Sequence, residues 1–134
     1  MKQLLNIFIF AALSFVGFAY ADDAPKAMIN EISVKQVQQL IDSKAKNVVI
    51  LDANNEDARK EAGVVPGAVL LTSYSKYALT ELPKDKNTTL VFYCYNSYCQ
   101  ASNLAAQRAV GAGHKDARVM KAGIVGWNKV KADY

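Results

Sequence analysis

Apolar residues occur in this chain partly as short continuous runs and partly at helical spacing. The runs at 48–51 and 88–93 are β-branched and aromatic, which is typical of strands buried on both faces of a parallel sheet. A third strand is predicted over 117–120, and 69–71 is a short apolar piece after a turn. The pattern therefore predicts a buried sheet.

Helical spacing of apolar residues is clearest over 34–41, where one apolar face is predicted and Ser33 can cap the helix. Further helices are predicted over 56–62, 75–82 and 100–110. The last of these is expected to bury three residues, Leu104, Ala105 and Ala109. Trp127 is expected to anchor a final helix by packing.

Strands that alternate with helices imply right-handed crossovers. The predicted fold class is therefore α/β, with a mainly parallel central sheet and helices on both faces. In such sheets ligands and reactive groups gather at the carboxyl ends of strands. Asp52 and Cys94 both follow predicted strands, so we expect them to share one face.

The first 21 residues have the pattern of a signal peptide. Lys2 gives a positive start, an apolar stretch follows over 4–18, and Ala-Tyr-Ala at 19–21 forms a cleavage site. An N-terminal membrane anchor is the alternative, but the stretch is short against the roughly 20 residues that a spanning helix needs. We expect a periplasmic or secreted protein that is free of the membrane after cleavage.

The rest of the chain is long enough for one domain, with a linker and domain start over 22–32 and the domain itself over 33–134. The chain has 134 residues and a net charge of +4, which falls by one when the signal peptide is removed. The surplus is spread along the chain without a basic stripe. We therefore expect no nucleic-acid partner.

Cys94 and Cys99 are the only cysteines. In an oxidising compartment a structural disulfide is the first alternative. That bridge would close a very short loop and remove little entropy from the unfolded chain, so a chemical role is favoured. A thiol between a strand tip and a helix N-terminus is expected to ionise readily, which makes Cys94 the candidate nucleophile.

A metal site is not indicated. His114 is the only histidine, and it follows a predicted helix end, where a surface position is expected. Its spacing from the two cysteines matches no common zinc pattern. No phosphate-binding glycine loop is present, and we expect neither a metal nor another cofactor.

Four short motifs, in order and at matching spacing, resemble the rhodanese-like family. The family pattern runs from L-D-V/A-R through G-H-I-P-G-A to a strand with the active cysteine, and ends in G-G-I/V-x-x-W. The matching stretches here are LDAN at 51–54, GVVPGA at 63–68, VFYC at 91–94 and AGIVGW at 122–127.

The resemblance implies a sulfurtransferase in which Cys94 takes sulfane sulfur from a donor as a persulfide and passes it to a thiol or another nucleophile. It also implies that loop N–H groups form a cradle for the second sulfur atom. The residues of that cradle would be Tyr95, Asn96, Ser97, Tyr98 and Cys99, completed by the helix that begins near Gln100.

The chain departs from the family pattern at three positions. Asn54 replaces the strand-end arginine, Val64 replaces the histidine, and Cys99 replaces the arginine that often ends the loop. Residues 95–100 contain no Lys or Arg. Such a loop is expected to attract thiosulfate poorly and to lower the pKa of Cys94 less.

Cys99 leaves two functions open. It can attack a persulfide on Cys94 to give a disulfide, or the pair can cycle as a dithiol with a thioredoxin-like protein. Filling the space of the arginine is the structural alternative. A third possibility for the whole domain is a non-catalytic binding module.

Three other residues near this loop have two interpretations each. Asp52 either orients the loop or, as such aspartates more often do, caps the following segment. Tyr95 and Tyr98 either select the acceptor at the rim or simply cover the sheet edge.

Overall fold

The computed structural model describes residue 17 and residues 29–134, which form one sheet flanked by four helices. Apart from Gly17, the predicted signal peptide over 1–21 lies outside the described residues, as does most of the predicted linker over 22–32. In the described part of the chain, no helix combines the length and apolar character that crossing a membrane requires.

The sheet has five strands, all parallel, in the order β1-β5-β4-β2-β3. The strands are β1 Asn30–Glu31, β2 Val48–Asp52, β3 Val69–Leu70, β4 Thr89–Tyr93 and β5 Asp116–Val119. The helices are α1 Val34–Asp42, α2 Glu56–Ala62, α3 Ala101–Gly111 and α4 Gly123–Ala132. The predicted α/β class with a parallel sheet is confirmed.

Both faces of the sheet carry an apolar core. On β4, Leu90 and Phe92 belong to the cluster that contains the small residues of α3, namely Ala105, Ala106 and Ala109. Val91 and Tyr93 belong to the opposite cluster, with residues of α1 and α4, namely Val34, Val37, Ile124 and Trp127. Successive residues of a strand point to opposite faces, so this apolar run serves both layers.

The first helix begins where the sequence predicts. The Ser33 hydroxyl accepts a hydrogen bond from the Gln36 N–H at 3.2 Å, and the Gln36 side chain accepts one from the Ser33 N–H at 2.9 Å. This reciprocal pair satisfies two N–H groups that a helix start leaves free.

The helix predicted over 75–82 is absent, and only a short 3-10 turn at Leu79–Glu81 forms there. The Glu81 carboxylate accepts hydrogen bonds from the backbone N–H groups of Thr72 and Ala78. Tyr77 is fully buried and donates to the Ala105 carbonyl at 2.7 Å. These tertiary contacts hold the segment in a form that its local pattern did not predict.

Two further details differ from the sequence prediction. Leu104 is 44% exposed, because α3 turns Ser102, Ala105 and Ala109 towards the sheet instead. The two-residue strand β1 was not predicted, and it pairs with the edge of β5. A strand this short has no periodicity that a sequence pattern could reveal.

Candidate active site

The two cysteines lie in the loop at the carboxyl end of β4, the central strand of the sheet. β4 ends at Tyr93 and α3 begins at Ala101, so the loop comprises residues 94–100 and is called the thiol loop below. Cys94 is 1% exposed, whereas Cys99 is partly exposed, and neither forms a disulfide.

The start of α4 holds the thiol loop in place. The Ile124 N–H donates to the Cys94 carbonyl at 2.9 Å, and the Val125 N–H donates to the Tyr95 carbonyl at 3.0 Å. Gly123 has a positive φ of 65° and no side chain, which lets its backbone approach the peptide between Tyr95 and Asn96. The motif at 122–127 therefore anchors the loop.

Hydrogen bonds within the thiol loop use two of the N–H groups expected in the cradle. The Asn96 side chain accepts from the Tyr98 N–H at 3.1 Å, and the Asn96 carbonyl accepts from the Cys99 N–H at 3.1 Å. These two N–H groups are thus turned to Asn96, which differs from the amide cradle that the resemblance implies.

The Cys94 thiol is enclosed by polar groups of the loop and of α3. It donates to the Cys99 carbonyl at 3.3 Å, and its sulfur lies 3.2 Å from the Ser102 hydroxyl. Burial raises the pKa of Cys94, and the hydrogen bond with the Cys99 side chain raises it further. Ser102, through its hydroxyl and its N–H, lowers the pKa by less, so the readily ionised Cys94 expected from the sequence is not what this environment produces.

For Cys99 the groups that lower the pKa outweigh those that raise it. Its partial burial raises the pKa, but hydrogen bonds from the Cys94 side chain and from the backbone N–H groups of Tyr95 and Ala101 lower it below the ordinary value. N–H groups at a helix start stabilise an anion without any charged side chain. In this pair Cys99 is therefore the thiol that ionises first.

The rim of the thiol loop is polar and carries no positive charge of its own. The Tyr95 hydroxyl donates to the Glu61 carboxylate at 2.7 Å, and Tyr98 is 88% exposed. Ser97 and Gln100 are exposed, and the Gln100 side chain accepts a hydrogen bond from Asn103. A substrate at this rim would meet tyrosine rings and a carboxylate.

Asp52 lies under this end of the sheet, in the core. It is fully buried, and its carboxylate accepts from the Tyr93 hydroxyl at 2.6 Å and from the Asn54 N–H at 2.7 Å. The Arg59 guanidinium lies 3.4 Å away. Asp52 thus caps the segment after β2, and the predicted substrate-binding role does not fit a carboxylate with no exposed surface.

Sequence reasoning missed Arg59, which reaches from α2 to the carbonyls of Asp52 and Leu71 at 3.0 and 2.9 Å. It also missed Ser102, whose only signal was a hydroxyl in the first turn of the helix behind the thiol loop.

The prediction for His114 was wrong. It is 1% exposed, and its Nε2 atom lies 3.2 Å from the Lys86 ammonium. Gly113 has a positive φ of 96°, which turns the chain back below α3 and places the ring in the interior. Burial and the nearby Lys86 lower the pKa of His114, so the ring is neutral at pH 7. Among the described residues no group of three or more His, Cys, Asp or Glu side chains could hold a metal ion.

Comparison with known proteins agrees with this architecture. A sequence model described as "Rhodanese-like domain" matches residues 33–130, and no curated protein matches the chain in sequence. A structure of a protein of unknown function from Rhodopseudomonas palustris, described as a possible tyrosine phosphatase, is 25% identical with a TM-score of 0.65. That alignment covers 77% of this chain and 82% of the other.

Two other solved structures share the fold. A rhodanese-like domain protein from Staphylococcus aureus is 19% identical with a TM-score of 0.59, over 74% of this chain and 91% of that one. A thiosulfate sulfurtransferase from Pseudomonas aeruginosa is 23% identical with a TM-score of 0.61. The match covers 77% of this chain but only 19% of the sulfurtransferase.

Proposed function

The chain belongs to the rhodanese-like domain family, and from that premise we propose that its thiol loop takes up a sulfane sulfur atom as a cysteine persulfide and passes it to a thiol. One observation carries this proposal: two free thiols, joined by a hydrogen bond from the Cys94 Sγ to the Cys99 carbonyl at 3.3 Å, occupy the loop at the carboxyl end of the central strand. Ligands of parallel α/β sheets bind at this end.

Sulfur uptake is a nucleophilic displacement. A loop thiolate attacks the outer sulfur of the donor, a new S–S bond forms on the cysteine, and the remainder of the donor leaves with the electron pair. The thiolate of an acceptor then attacks that outer sulfur and the cysteine thiolate departs. By analogy with the family pattern the persulfide would form on Cys94, whose enclosed sulfur is shielded from water by the Cys99 carbonyl and the Ser102 hydroxyl.

The charge of the site favours a donor without multiple negative charges. Residues 95–100 contain no Lys or Arg, and the Glu61 carboxylate lies at the rim through Tyr95. The Glu61 carboxylate and the uncharged loop disfavour dianionic thiosulfate more than an organic persulfide, which carries at most one negative charge. Aromatic rings at Tyr95 and Tyr98 offer apolar contact to an organic donor.

A phosphatase function is not favoured, although one structural neighbour is described as a possible tyrosine phosphatase. Clamping a phosphate calls for an arginine six residues after the cysteine, and Gln100 occupies that position. A glutamine has no charged planar fork with which to bind a phosphate bidentately.

Sulfur uptake is tested by intact-protein mass spectrometry. The reduced protein is expected to gain one sulfur atom on incubation with cysteine persulfide, and to gain it more slowly with thiosulfate. The control is a double variant, Cys94→Ser with Cys99→Ser, which is expected to gain none. If the mass of the wild-type protein stays unchanged with both donors, the proposal is contradicted. A non-catalytic binding module would then be the remaining function for this domain.

Export and a thioredoxin-like reductant belong to the same proposal. Residues 1–21 have the three-part pattern of a signal peptide, and an exported dithiol needs a partner that returns it to the reduced state. N-terminal sequencing of the protein from its native host is expected to begin at Asp22. A sequence that begins at Met1 would contradict export with cleavage.

A further inference from the structure

We infer that Cys99 is the first attacking thiol of the loop and that Cys94 is the resolving thiol, so that the two cycle between a dithiol and a disulfide. This inference rests on the same loop as the proposed function. It reverses the order considered from the sequence, in which Cys94 takes the sulfur and Cys99 resolves.

Access is the first observation behind this order. Cys94 is 1% exposed, and its sulfur is covered by the Cys99 carbonyl at 3.3 Å and the Ser102 hydroxyl at 3.2 Å. Cys99 retains part of its surface in contact with solvent. An electrophilic sulfur that approaches from outside therefore meets Cys99 before Cys94.

The directions in which the two thiol pKa values shift support the same order. The Cys94 side chain and the backbone N–H groups of Tyr95 and Ala101 lower the pKa of Cys99, whereas burial raises the pKa of the enclosed Cys94 thiol. The groups that set the pKa of Cys99 include no Lys, Arg, Asp or Glu side chain among the described residues. Because the thiolate is the nucleophile, the thiol that ionises first attacks first.

The chemistry balances in two steps. The Cys99 thiolate attacks one sulfur of a disulfide R–S–S–R′, a mixed disulfide with R–S forms, and R′–S⁻ leaves with the electron pair. The Cys94 sulfur then attacks Cys99, the Cys94–Cys99 disulfide forms, and R–S⁻ leaves and takes the Cys94 proton. The two cysteines are oxidised and the substrate disulfide is reduced.

A sulfane donor enters at the same thiol. The first attack gives a Cys99 persulfide, and the thiolate of an acceptor then takes the outer sulfur, so that the Cys99 thiolate departs and no protein disulfide forms. After exchange with a disulfide substrate, an external dithiol reduces the Cys94–Cys99 disulfide. Since this disulfide closes a very short loop, it adds little folding stability, as suits a bond that opens in every cycle.

The experiment uses the reduced protein and 5,5′-dithiobis(2-nitrobenzoate), whose coloured thiolate reports each attack. The wild type is expected to release two equivalents, keep no adduct and lose the mass of two hydrogens. Cys94→Ser keeps a hydroxyl beside Cys99 and is expected to release one equivalent and keep the adduct on Cys99. In Cys99→Ser the attack is expected to slow by about tenfold or more, because ionisation and access are both reduced.

The pH profile gives a readout that simple accessibility does not. A lowered pKa keeps more thiolate present as the pH falls. The attack rate of the Cys94→Ser variant should therefore reach half of its maximum at a lower pH than the rate of free cysteine does. The midpoint pH of the Cys99→Ser variant should lie above that of free cysteine, since Cys94 has a raised pKa. Equal midpoints, or the reverse order, would overturn the assignment.

A measurement on the wild type guards against variants that fail to fold. With less than one equivalent of iodoacetamide, peptide mapping is expected to find the label on Cys99, and a label mainly on Cys94 would refute the inference. Sulfur uptake is scored separately. If the protein takes up sulfur but Cys94 attacks first, only the inference about Cys99 fails. If Cys99 attacks first but the protein takes up no sulfur, the proposed sulfur transfer fails and disulfide exchange remains.

Discussion

Replacing Asp52 with alanine is expected to lower the free energy of unfolding by about 3–5 kcal/mol, the cost of removing one partner from a buried ion pair. Asp52 is fully buried, lies 3.4 Å from the Arg59 guanidinium, and accepts the Tyr93 hydroxyl at 2.6 Å. Without the carboxylate the Arg59 guanidinium, whose side chain is 15% exposed, keeps only the backbone carbonyls of residue 52 and Leu71 as partners. Denaturant unfolding followed by circular dichroism measures the loss.

The matched control removes an acid from an exposed ion pair. Glu56 and Lys60 are 3.8 Å apart, and their side chains are 84% and 74% exposed. Glu56→Ala is expected to cost no more than about 1 kcal/mol, because water screens the pair. If Asp52→Ala cost no more than this control, the buried network would not stabilise the fold as argued.

Replacing Gly123 with alanine is expected to destabilise the domain and to loosen the thiol loop. Gly123 has a φ of 65°, a conformation that costs about 1–3 kcal/mol for other residues. A Cβ there would lie 2.7 Å from the Asn96 nitrogen and closer still to the Tyr95 carbonyl. Since these atoms are backbone, relief requires the loop to move, which is expected to speed alkylation of Cys94.

Gly111 provides the control for this variant. It is the last residue of α3, and a Cβ at this position would meet nothing within 4 Å. Gly111→Ala is expected to leave alkylation unchanged and to alter the unfolding free energy by no more than about 1 kcal/mol, in the stabilising direction. Similar behaviour of the two glycine variants would show that the loop does not depend on the close approach at Gly123.

Local patterns predicted most of the fold because each element carries its own periodicity. The run at 48–51 and the capped helix after Ser33 depend on neighbours within a few residues. The segment 75–82 was predicted wrongly because that prediction also used only neighbours within a few residues. Its form depends on Glu81 reaching back to Thr72 and on Tyr77 bonding to Ala105, 28 residues along the chain.

At the candidate site the sequence located the chemistry but not the state of each group. It placed both thiols in one loop between a strand and a helix, which needs only the chain order. It could not show that the Asp52 carboxylate already has Tyr93 and Arg59 as partners, because those contacts join three separate elements. Nor could it show that His114 lies in the interior beside Lys86.

The sequence by itself determined that this protein is a parallel α/β domain whose two cysteines share one loop without basic residues. The tertiary structure decided which of the two is accessible and which ionises first. Cys94 is covered by Ser102 and by the Cys99 carbonyl, whereas Cys99 keeps contact with solvent and has its pKa lowered by the Cys94 side chain and by the N–H groups of Tyr95 and Ala101. Burial and hydrogen-bond direction depend on how distant segments pack, and these two quantities set the reactivity of a thiol.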